Sequence, residues 1–244
     1  MFETFFYQPI VNLVIFIYNI LPVESLGLTI IILSIVIKLV LLPFSKQQIK
    51  SQKVLQDLQP KIEEVKKKYA SQKEEMGKAI LELYKKNRVN PLSSCLPLLI
   101  QFPFLIAVFQ VFRDNFSPES LDLIYSIVSR PESIKTFFLG INLSQPNVLI
   151  AFFAAVSQYF QTKTMMGKKK NSNDNQNNNF AETMNKQMLY MMPFLTFIFG
   201  LSLPSGLSLY WFMTTILTIF QQNFIFNKKD DQNDDGVIEG EVVK

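Results

Sequence analysis

The sequence predicts an all-α membrane protein: a five-helix transmembrane bundle with an N-terminal interfacial helix and a cytoplasmic helical hairpin. Three observations predict it. Apolar residues make up 48% of the 244, and they are gathered into blocks. Five blocks approach the roughly 20 residues that a helix needs to cross a hydrocarbon core of about 30 Å. The charged residues lie almost entirely between those blocks. A lone cysteine, Cys95, excludes an internal disulfide framework. With no histidine and no cysteine cluster, His- or Cys-based metal and nucleophile chemistry has no residues to use.

Residues 1–22 are apolar but interrupted by Gln8, Asn12 and Asn19, with Pro9 and Pro22 near the ends. They lack a basic n-region and a small-residue cleavage site, so they do not read as a signal peptide. They could form a sixth span, but a helix lying in the outer interface, its polar residues turned to water, fits better.

Span one occupies 24–44, span two 91–112, span three 147–162, span four 188–203 and span five 206–226. Spans three and four are short. At 1.5 Å per residue, 16 residues cover only about 24 Å, so polar-tipped extensions or a thinned bilayer are expected.

Lysine and arginine set the orientation. The segment 45–91 holds twelve of them, 163–187 holds five and 227–244 holds three, so twenty of the 24 fall on one side. That side is cytoplasmic, which places the N-terminus outside and the C-terminus inside.

Between the spans, 45–90 carries Leu55, Leu58, Ile62, Val65 and Tyr69 at spacings of three and four, a coiled-coil seam. Pro60 predicts a kink or a fresh helix start. A break near Ala70–Lys73 precedes Met76, Ile80 and Leu83, which continue the pattern as the second arm of a hairpin. Its twelve basic against six acidic residues suit lipid headgroups or ribosomal RNA. The outside segment 113–146 reads as short helices broken at Ser-Pro, Arg-Pro and Gln-Pro. The stretch KKKNSNDNQNNN within 163–187 reads as a flexible loop, and 227–244 as a disordered acidic tail.

Polar groups within the spans mark a candidate site. Lys38 is the one charge in the apolar stretch 26–44 of span one, and at mid-helix it would cost about 2.5–3.5 kcal/mol on insertion scales. No acidic residue lies in the apolar stretch 26–44 or in any other span to pair with it. Ser34 is one turn away on the same face. Gln101 is midway along span two, Gln158 and Gln161 lie near the inner end of span three, and Trp211, Thr214 and Thr215 are in span five. Two readings stay open on these residues alone: snorkelling to the inner surface, or a water-filled cavity between helices. Pro97 and Pro103 bend span two into a plausible cavity wall.

Three segments resemble the YidC-type membrane insertases. NPLSSCLPLLIQFPFLIAVF (90–109) is similar to that family's second core span. LSLPSGLSLYWFMTTILTIFQQ (201–222) is similar to its last span, and IKLVLLPFSKQQIKSQKVLQDLQPKI (37–62) to its first core span running into the cytoplasmic hairpin. The resemblance covers residues 1–227 and implies the compact form, without the large extracytoplasmic domain. It implies a hydrophilic groove open to cytoplasm and lipid and closed outside, with a basic residue five before the span's closing proline. Here that residue is Lys38, five before Pro43, in place of the usual arginine. The charge is kept, but the guanidinium fork is lost. Gln161 and Trp211 match further groove residues, and Thr215 stands where the family often has asparagine.

The resemblance thus implies an insertase and chaperone of the bacterial plasma (inner) membrane, which is not an enzyme and needs no cofactor. Its substrate groove would be lined by Lys38, Ser34, Gln101, Gln161, Trp211 and Thr215. Phe102, Leu105, Phe109, Leu207, Tyr210 and Met213 would form an apolar slide for the passenger helix. Nascent membrane proteins and the lipid bilayer are the implied partners, with the ribosome, the signal recognition particle receptor and the Sec translocon as further candidates. The alternative is a small-solute or ion transporter. Against it stand the absence of an internal repeat and the single uncompensated intramembrane charge.

Overall fold

A computed structural model of the chain describes residues 1–87, 90, 96–114, 116–166 and 179–233. The polar stretch 168–178, the last residues of the acidic tail and Cys95 lie outside the described residues. The described chain is mostly helical.

A π-helical turn (Glu3–Tyr7) leads into α1 (Gln8–Ile20), with Pro9 at its start. Helix α1 is a core element. Ile10, Val11, Val14, Ile15, Ile17 and Tyr18 are buried, and α1 packs on α2 and α5. The expectation that its polar residues face water is therefore corrected for two of them. Asn12, itself buried, donates to the carbonyls of Gln8 and Leu123 and accepts from the Tyr125 N–H. Gln8 also donates to Leu123. A loop needs its backbone groups satisfied, and these amides supply both donor and acceptor. Asn19 is exposed and donates to the Ser129 carbonyl. Tyr7 donates to Asp114 Oδ2 at 2.9 Å, and burial, reinforced by this carboxylate, pushes its phenol up to about 12.

Helix α2 (Leu26–Val40) starts at Ser25, whose Oγ accepts from the Leu28 N–H. It ends because Pro43 follows. Proline can neither donate to the Leu39 carbonyl nor fit beside it, so the chain turns by 71° at Leu41 and restarts as α3 (Leu42–Lys68). Helix α3 continues through Pro60 without the expected break. It turns Gln48, Ile49, Gln52, Leu55, Leu58 and Ile62 inward, and its contacts include α4, α9, α7 and α5. A turn at Tyr69–Gln72 joins α3 to α4 (Lys73–Lys86), which has no fully buried residue.

Helix α5 (Leu96–Arg113) contains Pro103 and is followed by the single-turn α6 (Pro118–Leu121). A small antiparallel hairpin, β1 (Phe137–Phe138) and β2 (Ile141–Asn142), comes next, with Phe137 opposite Asn142 and Phe138 opposite Ile141. The segment 113–146 therefore contains a strand pair that the sequence reading did not expect. Asn147 caps α7 (Val148–Met166) by accepting from the N–H groups of Leu149 and Ile150. Helix α8 (Asn179–Ser202) packs most extensively against α7, which also backs onto α9 (Ser205–Asn233).

One end of the bundle gathers the start of α2, the segment 135–145 and the start of α9. Leu26 N–H donates to the Lys135 carbonyl, Gly206 N–H to Leu143, and Ser205 N–H to Gln145. These bonds satisfy the orphan donors of two helix N-termini. At the same end, α5 finishes beside Tyr7. Helix α3 crosses the opposite end.

Among the described residues no single helix is long and apolar enough to cross a membrane, whereas the bent pair α2 and α3 passes that test together. Helix α8 exposes Met188, Tyr190, Met191, Phe194, Ile198 and Phe199 along its length, an apolar surface that needs covering.

Candidate functional site

Helix α9 organises the polar residues. Trp211, Thr214, Thr215, Thr218 and Gln222 recur at spacings of three and four, so they share one broad face. Three neighbouring helices each reach α9 through one side-chain hydrogen bond.

From α2, Lys38 Nζ donates to Thr218 Oγ1 at 2.7 Å. Thr218 donates onward to the Thr214 carbonyl at 2.6 Å, and Thr214 Oγ1 lies 2.9 Å from the Tyr210 carbonyl, to which it donates. Among the described residues no carboxylate pairs with Lys38, and the residue is half-buried. The ammonium thus sits between helices, held by a hydroxyl that neutralises none of its charge. Ser34, one turn earlier, is fully buried, and its hydroxyl donates to the Ile30 carbonyl of its own helix.

From α5, Gln101 Nε2 donates to the Tyr210 hydroxyl at 2.6 Å. From α7, Gln158 Oε1 accepts from Trp211 Nε1 at 3.0 Å. Tyr210 and Thr218 are eight residues apart, roughly 12 Å along the axis, so the polar contacts form a seam and not a single cluster. Thr215 is buried within it, and Gln161 is half-buried on α7.

The structure separates the apolar candidates. Phe102 is 53% exposed, while Leu105, Phe109 and Met213 are half-buried against the core. Leu207 and Tyr210 lie inside that core, at 5% and 1% exposure, and do not face outward in this arrangement. Tyr210 joins the polar seam instead, because its phenol carries a polar group on an apolar body.

Sequence reasoning missed Thr218 as the partner of Lys38. The signal was present: Thr218 stands one turn beyond Thr214 on the same face. It also missed the continuation of the seam toward the C-terminal end of α9. Gln222 is 1% exposed, and its Oε1 has no hydrogen-bond partner among the described residues; the same holds for Oε1 of Gln221 and of Gln52 on α3. An unmatched buried carbonyl costs about 1–3 kcal/mol. Gln222→Leu is therefore expected to raise the melting temperature in detergent by several degrees. Differential scanning fluorimetry checks this, and a lowered melting temperature would show the oxygen to be partnered.

One concavity is lined by Phe116, Leu121 and Pro131–Ile134, and another by residues that include Glu3, Tyr7 and Asp114. Neither includes Lys38. Among the described residues no group of three or more His, Cys, Asp or Glu side chains could hold a metal ion.

Fold and seam define a class: a helical membrane protein whose interhelical interface is polar and carries a lysine that no carboxylate pairs among the described residues. The family model described as 60Kd inner membrane protein matches residues 16–233. The chain is 34% identical over 209 residues to the membrane protein insertase YidC of Fusobacterium nucleatum, covering 84% of this chain and 88% of that protein. It is 32% identical over 210 residues to the insertase YidC of Oceanobacillus iheyensis, covering 84% and 75%. To the insertase YidC 1 of Listeria monocytogenes it is 35% identical over 211 residues, covering 83% and 64%. The chain belongs to this family of inner membrane proteins, the membrane protein insertases. The transporter alternative finds no support.

Proposed function

We propose that this insertase moves the polar flank of a nascent membrane protein along the α9 seam while the adjoining apolar segment passes into lipid beside it. The observation that carries the reading is the Lys38 ammonium, held between α2 and α9 by Thr218 with no carboxylate among the described residues to neutralise it. A cation so placed attracts an acidic flank, and the attraction is stronger than in bulk water because part of its surroundings is protein. Ser34, Gln101, Gln161, Trp211 and Thr215 supply further polar positions for the passing backbone. Phe102, Leu105, Phe109 and Met213 line the lipid side, and release of the apolar segment there contributes several kcal/mol to drive transfer.

Five crossings, an outside N-terminus and a cytoplasmic C-terminus agree with the placement of twenty of the 24 basic residues. Short helices shorten the path through hydrocarbon, since α2 at 15 residues reaches only about 22 Å. The hairpin of α3 and α4 receives the incoming chain, and its basic surface suits a ribosome or lipid headgroups.

Reconstituted proteoliposomes offered a single-span substrate with an acidic flank test the reading. The purified chain is expected to insert it, and failure with a competent substrate would overturn the proposal. In the same assay a variant lacking residues 61–88 should lose most of its activity yet fold. Gln48, Ile49, Gln52 and Leu55, which lie inward on α3, all remain in that variant. Full activity would show the hairpin to be dispensable.

A further inference from the structure

The outer hairpin carries an unusual residue at its tip. Leu139 and Gly140 have φ of 50° and 80°, the positive pair of a primed two-residue turn. Asparagine, aspartate or glycine normally takes the first position, because a larger side chain there costs about 1–2 kcal/mol. Leu139 is nevertheless 85% exposed, and Phe137 beside it is 66% exposed. Among the described residues, so exposed a side chain gains little packing to offset the strain.

The tip is held in a defined place. The Phe138 ring fills the notch left by Gly27 in the first turn of α2, where any Cβ would overlap it. On the other side Ser205 Oγ, at the start of α9, donates to the Asn142 carbonyl at 3.2 Å. Leu139 therefore projects at the level where the apolar α2 begins. Around that level Ile20, Val23 and Leu28 are also exposed. Lys135, just before the hairpin, is paired with Glu24 at 2.7 Å, so its charge is matched at the same level.

We infer that this hairpin is a lipid-docking wedge, with Leu139 and Phe137 entering the boundary between headgroups and acyl chains at the outer end of α2. The occupant is the bilayer, because the exposed apolar tip continues the surface of a helix read as a span. The inference rests on that reading of α2. The wedge, with its Phe138–Gly27 and Ser205–Asn142 contacts, fixes the outer ends of α2 and α9 to each other and to the leaflet, while their inner ends carry the Lys38–Thr218 contact.

The test uses the full chain with Cys95→Ser and one cysteine at a time, Leu139→Cys, Ile35→Cys or Lys78→Cys. Each is labelled with an environment-sensitive fluorophore and reconstituted into phosphatidylethanolamine–phosphatidylglycerol vesicles containing lipids brominated near the headgroup or near the chain end. At position 139, lipids brominated near the headgroup should quench emission roughly twofold, and more than those brominated near the chain end, as interfacial burial of about 5–10 Å requires. Position 35 should be quenched as a span control, and position 78 should not. Quenching at 35 with none at 139 overturns the wedge alone, and quenching at neither overturns the span reading beneath it. Emission at 139 that is shielded from water but unaffected by either lipid assigns the tip to a second protein surface, and likewise overturns the proposal.

Discussion

Lys38→Ala and Lys38→Glu are expected to cut insertion of acidic-flanked substrates about tenfold or more, and Lys38→Arg to retain most of it. A tenfold change corresponds to about 1.4 kcal/mol. That is a modest share of the several kcal/mol that a close charge pair is worth in a partly desolvated setting. The glutamate should be the worst of the three, because it replaces attraction with repulsion. Arginine keeps the charge on a longer stem and adds donors, so its hydrogen bond to Thr218 can be remade. A substrate with a neutral flank should respond much less to the whole series. Complementation of an insertase-depleted strain, together with the proteoliposome assay, separates these outcomes. Equal behaviour of the three variants would remove Lys38 from the mechanism.

Gly200→Ala should destabilise the bundle, although one methyl group is all it adds. A Cβ at position 200 of α8 would stand 2.7 Å from the Ala151 Cβ and 3.2 Å from both the Ala151 Cα and the Ser208 Oγ. The Cα belongs to the backbone of α7 and cannot swing aside, so one helix must retreat from the other. Overpacking of this kind costs roughly 1–3 kcal/mol, equivalent to a fall in melting temperature of about 2–12 °C at this chain length. The same substitution at Gly77 meets nothing within 4 Å. There, in the interior of α4, alanine is favoured by up to about 1 kcal/mol, so stability should rise. Opposite signs from one chemical change would locate the effect in the α7–α8 contact. A fall at both positions would refute that assignment.

Much of the helical order is legible in the sequence, because each element is punctuated by residues with few conformational choices. Pro43 ends the first apolar helix, Asn147 begins α7, and the polar run after Tyr69 breaks the hairpin. The candidate site is legible in part. A lysine without an acidic partner stands out in an apolar run, whereas Thr218 is an ordinary span residue until α2 is placed beside it. Two features resist reading for a common reason: their partners are distant in the chain. Asn12 looks like a surface residue until the loop at Leu123–Tyr125, more than a hundred positions on, supplies its bonds. Strands two residues long show no alternation, and Phe138 makes sense only against Gly27. Pro60 misleads in the other direction. It removes one hydrogen bond, but the apolar face that continues from Leu58 to Ile62 holds the helix together.

Helix α9 meets each of its three polar neighbours through a separate side-chain bond, at Tyr210, Trp211 and Thr218. A bond of this kind contributes only about 0.5–1.5 kcal/mol net, or somewhat more where a charge is involved. Each junction can therefore part and re-form by thermal fluctuation while the other two stay fastened. The wall behaves less like a door on one hinge than like a row of independent snaps. On the proposed route, a passenger chain would need to undo only the one in front of it, and the rest of the bundle would keep its shape as it passed.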